Sequence, residues 1–293
     1  MSRLSLSDGR ELGFQTLGDP ADPPLFFFHG TPGSRLTLAE EDGVVESLGA
    51  FLILPDRPGY GISSPKPGRS LLDWADDVEA LADHFAIARF AVAGESGGGP
   101  HAFASAYRLP ERVTKVLTFG SPAPANFKGA TRGMALGNRL AMVLGRVAPW
   151  LVRRLIRGFA TSFKRDPERF MDAIAAQMAT PDQTLMQIPA VRQAMLRDCT
   201  EAYRQGSEGH VTDSGLAMNP DWGFSLREIS VPAFIWHGER DTLVSAPMME
   251  RLAEELPRCE VHVVKDAGHL LLENPAVLAQ VKAILREEGS APA

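Results

Sequence analysis

The apolar runs Leu25–His29 and Ala50–Pro55 carry no polar alternation. A strand with one wet face alternates apolar and polar residues, whereas a strand that is apolar throughout is buried on both faces, as in a parallel sheet covered by helices on each side. Further short runs at Phe90–Ala93, Val113–Phe119, Val231–Trp236 and Glu260–Val264 are bounded by Gly, Pro or Asp. Between them lie stretches of helical period: one ending near Leu48, others at about Leu71–Phe85, Gly98–Tyr107 and Pro247–Leu256, and a last one from Pro275 to about Glu288. The expected fold is therefore α/β, a mostly parallel central sheet flanked by helices. At the amino end, Leu4–Ser7 and Glu11–Leu17 flank Asp8-Gly9 and read as a hairpin with positive φ angles in its tight turn.

The strand–helix alternation breaks off from Ser121 to Ser225, where the periodicity is helical and punctuated by Pro149, Pro167, Pro181 and Pro189. Residues 1–120 and 226–293 are thus expected to build one catalytic core, with 121–225 inserted as a helical cap. Two consecutive domains, the simple reading of 293 residues, do not fit this pattern. The net charge of -6 divides unevenly: residues 121–225 hold 13 Lys/Arg against 9 Asp/Glu, and the remainder is acidic. The bland reading is a solvated helical surface; the functional one is attraction of an anionic substrate or partner.

Composition narrows the function classes. Hydrophobic residues at 44 % and charged ones at 23 % exclude a disordered or collagen-like chain. An acidic chain without clustered Lys and Arg is not expected to bind nucleic acid. Cys199 and Cys259 are too few for a disulfide framework, and no CxxC pair suggests a metal site. The amino terminus reaches Asp8 before any apolar stretch of signal-peptide length, and no run of about 18 apolar residues offers a membrane span. A cytoplasmic protein acting on a small molecule is expected, with its oligomeric state left open. The Gly289–Ala293 tail is expected to fray.

The chemistry concentrates in Phe90-Ala-Val-Ala-Gly94-Glu95-Ser96-Gly97-Gly98. A buried strand runs into Gly-x-Ser-x-Gly and then into a helix, the context of a nucleophile elbow that exposes the serine and aims the following amide at a developing oxyanion. A serine hydroxyl needs a base, and the base needs an acid to orient it. Asp241 follows the strand ending in Trp236, and His269 follows the next one, giving the chain order Ser, Asp, His. All three would meet at the carboxyl edge of one sheet. Asp266 and Glu239 are alternative acids, although Asp266, three residues from His269, would have to fold back.

Together with His29-Gly30-Thr31-Pro32-Gly33, Asp56-Arg-Pro-Gly59-Tyr-Gly61-Ile-Ser63, Gly238-Glu-Arg-Asp241 and Gly268-His269, the chain resembles the α/β-hydrolase superfamily over nearly its whole length. The resemblance implies Ser96 as nucleophile, His269 as general base, Asp241 as orienting acid, and the amides of Thr31 and Gly97 as oxyanion donors. His29 and Gly30 would support the oxyanion loop. No metal or organic cofactor is implied.

The remaining histidines, His84, His101, His210, His237 and His262, read as packed or solvated rather than chemical. Residues 56–63 read as a Gly-rich loop turning the chain back, with Arg57 and Arg35 structural rather than pocket-lining.

The reaction implied is hydrolysis of a carboxylic ester or related acyl bond. Epoxide hydrolases and haloalkane dehalogenases place a carboxylate where this chain has Ser96. Proline iminopeptidases are similar but carry Gly at the position of Thr31, and they need cap carboxylates, for which Glu168, Glu201 and Glu208 are candidates. The net positive insertion argues against such a cation-binding cap. Cofactor-free haloperoxidases and carbon–carbon bond hydrolases share the triad, and a ligand-binding receptor on the same fold is the non-enzymatic alternative.

Overall fold

The computed structural model describes residues 2–38 and 42–287. Eight strands form one sheet: β1 (Ser2–Ser5), β2 (Glu11–Leu17), β3 (Pro24–Phe28), β4 (Phe51–Pro55), β5 (Phe90–Glu95), β6 (Val113–Phe119), β7 (Ala233–Gly238) and β8 (Cys259–Val264). Their order is β1-β2-β4-β3-β5-β6-β7-β8, with the first two pairings antiparallel and the rest parallel.

The uninterrupted apolar strands are buried on both faces, as their sequences require. Phe26 and Phe28 of β3 join a core layer with Trp74, Val78 and Leu81 of α2 (Asp73–His84), Phe103 of α3 (Gly99–Arg108) and Leu252 of α10 (Ala246–Glu255). The alternate residues Leu25 and Phe27 enter the opposite layer with Leu48 of α1 (Asp42–Leu48) and Val277 and Val281 of α11 (Pro275–Arg286). Residue Glu288 and the Gly289–Ala293 tail lie outside the described residues.

The β1–β2 hairpin forms as expected, but its turn differs. Only Gly9 has positive φ, at 83°. Leu6 and Arg10 face each other, the Leu6 amide donating to the Arg10 carbonyl at 2.8 Å, and the Asp8 carboxylate accepts from the Arg10 amide at 3.1 Å. The Asp8 side chain thus closes a longer loop in which one left-handed residue suffices.

Between β6 and β7 the chain forms α4 (Leu136–Val147), α5 (Pro149–Arg165), α6 (Pro167–Ala175), α7 (Thr180–Leu185), α8 (Pro189–Ala202) and α9 (Glu208–Ala217). No strand occurs there among the described residues. A small apolar cluster around Phe163, Met171, Met186 and Tyr203 lies among these helices and the turns that end them, and packs against Leu243 and Leu270 of the sheet-edge loops.

Candidate active site

Strand β5 ends in a 3-10 turn at Ser96–Gly98 that leads directly into α3. Ser96 has φ 48°, a left-handed conformation that costs a non-glycine residue about 1–3 kcal/mol and is held here by its surroundings. Gly98 makes the turn possible. A Cβ there would overlap the Phe28 carbonyl oxygen of the neighbouring strand.

Asp241, beyond β7, and His269, beyond β8, converge. The His269 Nδ1 lies 2.7 Å from Asp241 Oδ2, while Asp241 Oδ1 accepts from the amides of Leu243 and Val244 at 2.8 and 3.0 Å. Burial disfavours charge on Asp241, but His269 and the Val244 amide outweigh it and hold the carboxyl below its ordinary range. Burial likewise works against the imidazolium of His269; the Asp241 charge and hydrogen bond prevail and raise it to about 9. The other two acids considered from the sequence lie elsewhere: Asp266 pairs with Arg240 at the surface, and Glu239 accepts from the Asp266 amide at 3.1 Å.

Ser96 and His269 line one cavity of about 450 Å³, together with Gly30, Thr31 and Gly97. The structure shows no hydrogen bond between the Ser96 hydroxyl and His269. Catalytic hydrogen bonds of this kind commonly tighten when substrate binds. Gly97 approaches Thr31 so closely that a Cβ on it would overlap the Thr31 side chain, and both residues line the cavity beside the serine. His29 is fully enclosed and neutral, its charged form disfavoured by burial and then by Arg57. Its Nδ1 donates to the Gly30 carbonyl at 2.8 Å, and its Nε2 accepts from the Arg57 amide at 3.3 Å.

Several site residues were not evident in the sequence. Asp182 of α7 accepts from the amides of His269 and Leu270 at 2.9 and 3.0 Å. Asp198 of α8 accepts from the Ser34 amide and hydroxyl at 2.8 and 2.6 Å. Asp213 of α9 binds Arg57, at 2.7 Å, and Arg69. Arg57 in turn donates to the carbonyls of His29 and Gly30 and to the Thr31 hydroxyl. His101 lies 3.6 Å from Asp213 and donates through Nδ1 to the Gly97 carbonyl at 3.1 Å. Burial, and then Arg57, push His101 down to about 3, so it is a neutral member of this cluster and not a lone packed ring. Arg35, also buried, joins Asp56 to Glu201. Arg35 and Arg57 are thus structural and lie outside the cavity lining.

The cavity wall is mainly apolar and includes seven of the ten methionines. Its acidic groups are Glu95, Asp198 and Glu273. Burial raises all three, Asp198 to about 8, so the wall holds protonated carboxyls more readily than most carboxylate sites. The acids weighed from sequence are engaged elsewhere: Glu168 with Arg192, Glu201 with Arg35 and Arg204, and Glu208 with Arg157. Of the three cavity carboxyls only Asp198 belongs to the insertion. His210, read as packed or solvated, lines it too and meets the Tyr203 hydroxyl at 2.8 Å. The described residues contain no cluster of His, Cys, Asp and Glu suited to a metal ion.

The family model for the alpha/beta hydrolase fold matches residues 23–276. Protein ABHD8 of Mus musculus is 23 % identical over 259 residues, which cover 87 % of this chain; the match spans 53 % of ABHD8, about half its length. A putative proline iminopeptidase of Mycoplasma pneumoniae is 24 % identical over 313 residues, covering 97 % of this chain and 96 % of that protein. Among solved structures, an esterase from Exiguobacterium antarcticum superposes with a TM-score of 0.72 at 18 % identity, covering 98 % of this chain and 99 % of that one. The sheet order, the loops that end its strands and the match over residues 23–276 agree: the chain belongs to the alpha/beta hydrolase fold family.

Proposed function

We propose that the protein is a serine hydrolase that cleaves a carboxylic ester or related acyl bond of a small molecule through an acyl-enzyme on Ser96. The observation that carries this reading is the left-handed Ser96 opening into the same cavity as a His269 already bonded to Asp241 at 2.7 Å. Ser96 Oγ attacks the carbonyl carbon while His269 Nε2 takes its proton. The tetrahedral oxyanion is stabilised by the amides of Thr31 and Gly97, a single such donor being worth roughly 3–4 kcal/mol in other hydrolases. Collapse expels the alcohol, which receives the proton from His269. Water, deprotonated by the same imidazole, then adds to the acyl-enzyme and releases the acid and Ser96. Asp241 keeps the imidazole in the required tautomer and stabilises its cation.

Residues 121–225 serve in this reading as a cap over the sheet edge, an assignment supported by the residues of α4–α9 that line the cavity. The methionine-rich wall suits an apolar acyl or alcohol group of variable shape. An aminopeptidase resembling proline iminopeptidases is the second reading, favoured by Glu95, Asp198 and Glu273 in the cavity wall, which a bound substrate ammonium would hold ionised. Carbon–carbon bond hydrolysis would use the same triad.

Labelling with a fluorophosphonate, followed by peptide mapping, tests the nucleophile. An adduct on Ser96 that is lost in Ser96→Ala is expected, and an unlabelled Ser96 would instead support a ligand-binding receptor. A panel of esters graded by acyl length, with proline anilides alongside, separates esterase from peptidase. Faster turnover of the anilides would sink the ester reading.

A further inference from the structure

Helix α4 has no buried residue. Leu136, Leu140, Val143 and Val147 recur at intervals of three to four along one face and are 78, 56, 54 and 73 % exposed; Trp150, at the start of α5, is 67 % exposed. This is the spacing of an amphipathic helix, but the apolar stripe faces solvent. The other side of the helix, through Asn138, Ala141 and Met142, lines the cavity. Contiguous apolar surface of this kind marks a contact with something else.

Charge identifies the contact. From residue 121 to residue 165 there are nine Lys/Arg and no Asp/Glu, and all nine cations are exposed. Only Arg157 has a carboxylate partner among the described residues, Glu208 at 3.0 Å. Arg139 and Arg146, seven residues apart, lie together along one edge of the stripe. An apolar stripe bordered by cations, with a tryptophan at its end, has the make-up of a helix lying in a membrane interface. None of the described helices is long and apolar enough to cross a membrane. A second copy of the chain fits poorly, because a two-fold contact through this face would set the same basic strips against each other.

We propose that the α4–α5 hairpin docks on an anionic lipid surface. The Leu136–Val147 stripe and Trp150 enter the boundary between headgroups and acyl chains, and the flanking guanidinium groups meet the phosphates. This docking is independent of which bond the cavity's residues cleave.

The chain carries its own reporter, since Trp74, Trp222 and Trp236 are buried and only Trp150 is exposed. The full-length protein is mixed at low salt with phosphatidylglycerol vesicles or with phosphatidylcholine vesicles. Blue-shifted tryptophan emission and co-flotation are expected with the first and not the second, and both reverse at high salt. Arg139→Gln and Arg146→Gln should each weaken partitioning about fivefold, and together roughly thirtyfold. Leu140→Ser with Val147→Ser should abolish co-flotation without moving the unfolding midpoint, because both side chains are exposed. Unshifted emission with phosphatidylglycerol, or equal binding to both vesicle types, overturns the proposal. So does a lipid-free, concentration-dependent dimer that shields Trp150 from a soluble quencher.

Discussion

Asp213→Asn is the most informative single change to the buried framework. The side chain is fully enclosed, and among the described residues its carboxylate is the one anion paired with both Arg57 and Arg69. Burial opposes its ionisation, yet the two guanidinium groups hold it ionised far below the usual carboxylate range. Asparagine keeps the shape and one acceptor but leaves two buried cations with no counter-charge. Breaking a buried pair in this way costs about 3–5 kcal/mol, and the retained acceptor places this variant near the lower end. For a chain of this length, about 3 kcal/mol corresponds to a fall in Tm of roughly 5 °C.

Activity should fall as well, because both proposed oxyanion donors, Thr31 and Gly97, depend on this cluster. Arg57 braces the Thr31 loop, and His101 holds the carbonyl of Gly97. A displacement of about 1 Å at such a site can lower the rate about a hundredfold. Glu208→Gln on the same helix is the control: its pair with Arg157 is exposed, and its loss is worth under about 1 kcal/mol. Chemical denaturation and kcat on a chromogenic ester should separate the two variants. If Asp213→Asn matched Glu208→Gln in both midpoint and kcat, the cluster would not support the site as argued.

The pH dependence of kcat/KM should rise with deprotonation of His269 along a limb centred above the ordinary 6.5, toward about 9. Asp241→Asn should cut kcat by roughly ten-thousandfold and move that limb to lower pH, since burial is then opposed only by the smaller contributions of Glu95 and Asp182. A limb that does not move would remove Asp241 from its role. The raised value of His269 also stabilises the fold, a contribution complete below about 6.5 and lost as pH climbs through about 9. Asp198 acts in the same direction over a lower window. Its raised pKa means the folded state binds the proton more tightly, so stability should decline as pH rises from about 4 to about 8; Asp198→Asn should flatten that decline in urea titrations. Gly98→Ala would drive a methyl group into the Phe28 carbonyl oxygen, which cannot retreat without disturbing β3. A loss of about 3 kcal/mol or more is expected, and a wild-type midpoint would contradict the packing described for the elbow.

The elbow was legible because its determinants are adjacent: an apolar strand, a turn that tolerates only small neighbours, and a helix occur within twenty residues of sequence. The same holds for the loops carrying Asp241 and His269, each placed immediately after an apolar strand. Asp182, Asp198 and Asp213 left no such trace. They bond to His269, Ser34 and Arg57, which lie 87, 164 and 156 residues away in the chain. An isolated acid within a helical period looks the same whether it faces water or a buried guanidinium. At the hairpin, Asp8-Gly9 marks a turn, but the Asp8 side chain selects a different one from the tight turn expected.

By itself, the sequence determined the α/β class, the interruption by a helical segment, and the order in which a serine, an acid and a histidine reach one sheet edge. These follow from periodicity and from neighbours in the chain. Only the tertiary structure decided how the charge of that segment is used. Its positive sum conceals a split, with the exposed cations of α4–α5 turned to solvent beside an apolar stripe and carboxylates of α7–α9 turned inward onto the site loops. Net charge is additive along a chain, but its effect depends on burial and on the partner across the gap, and both are set by packing.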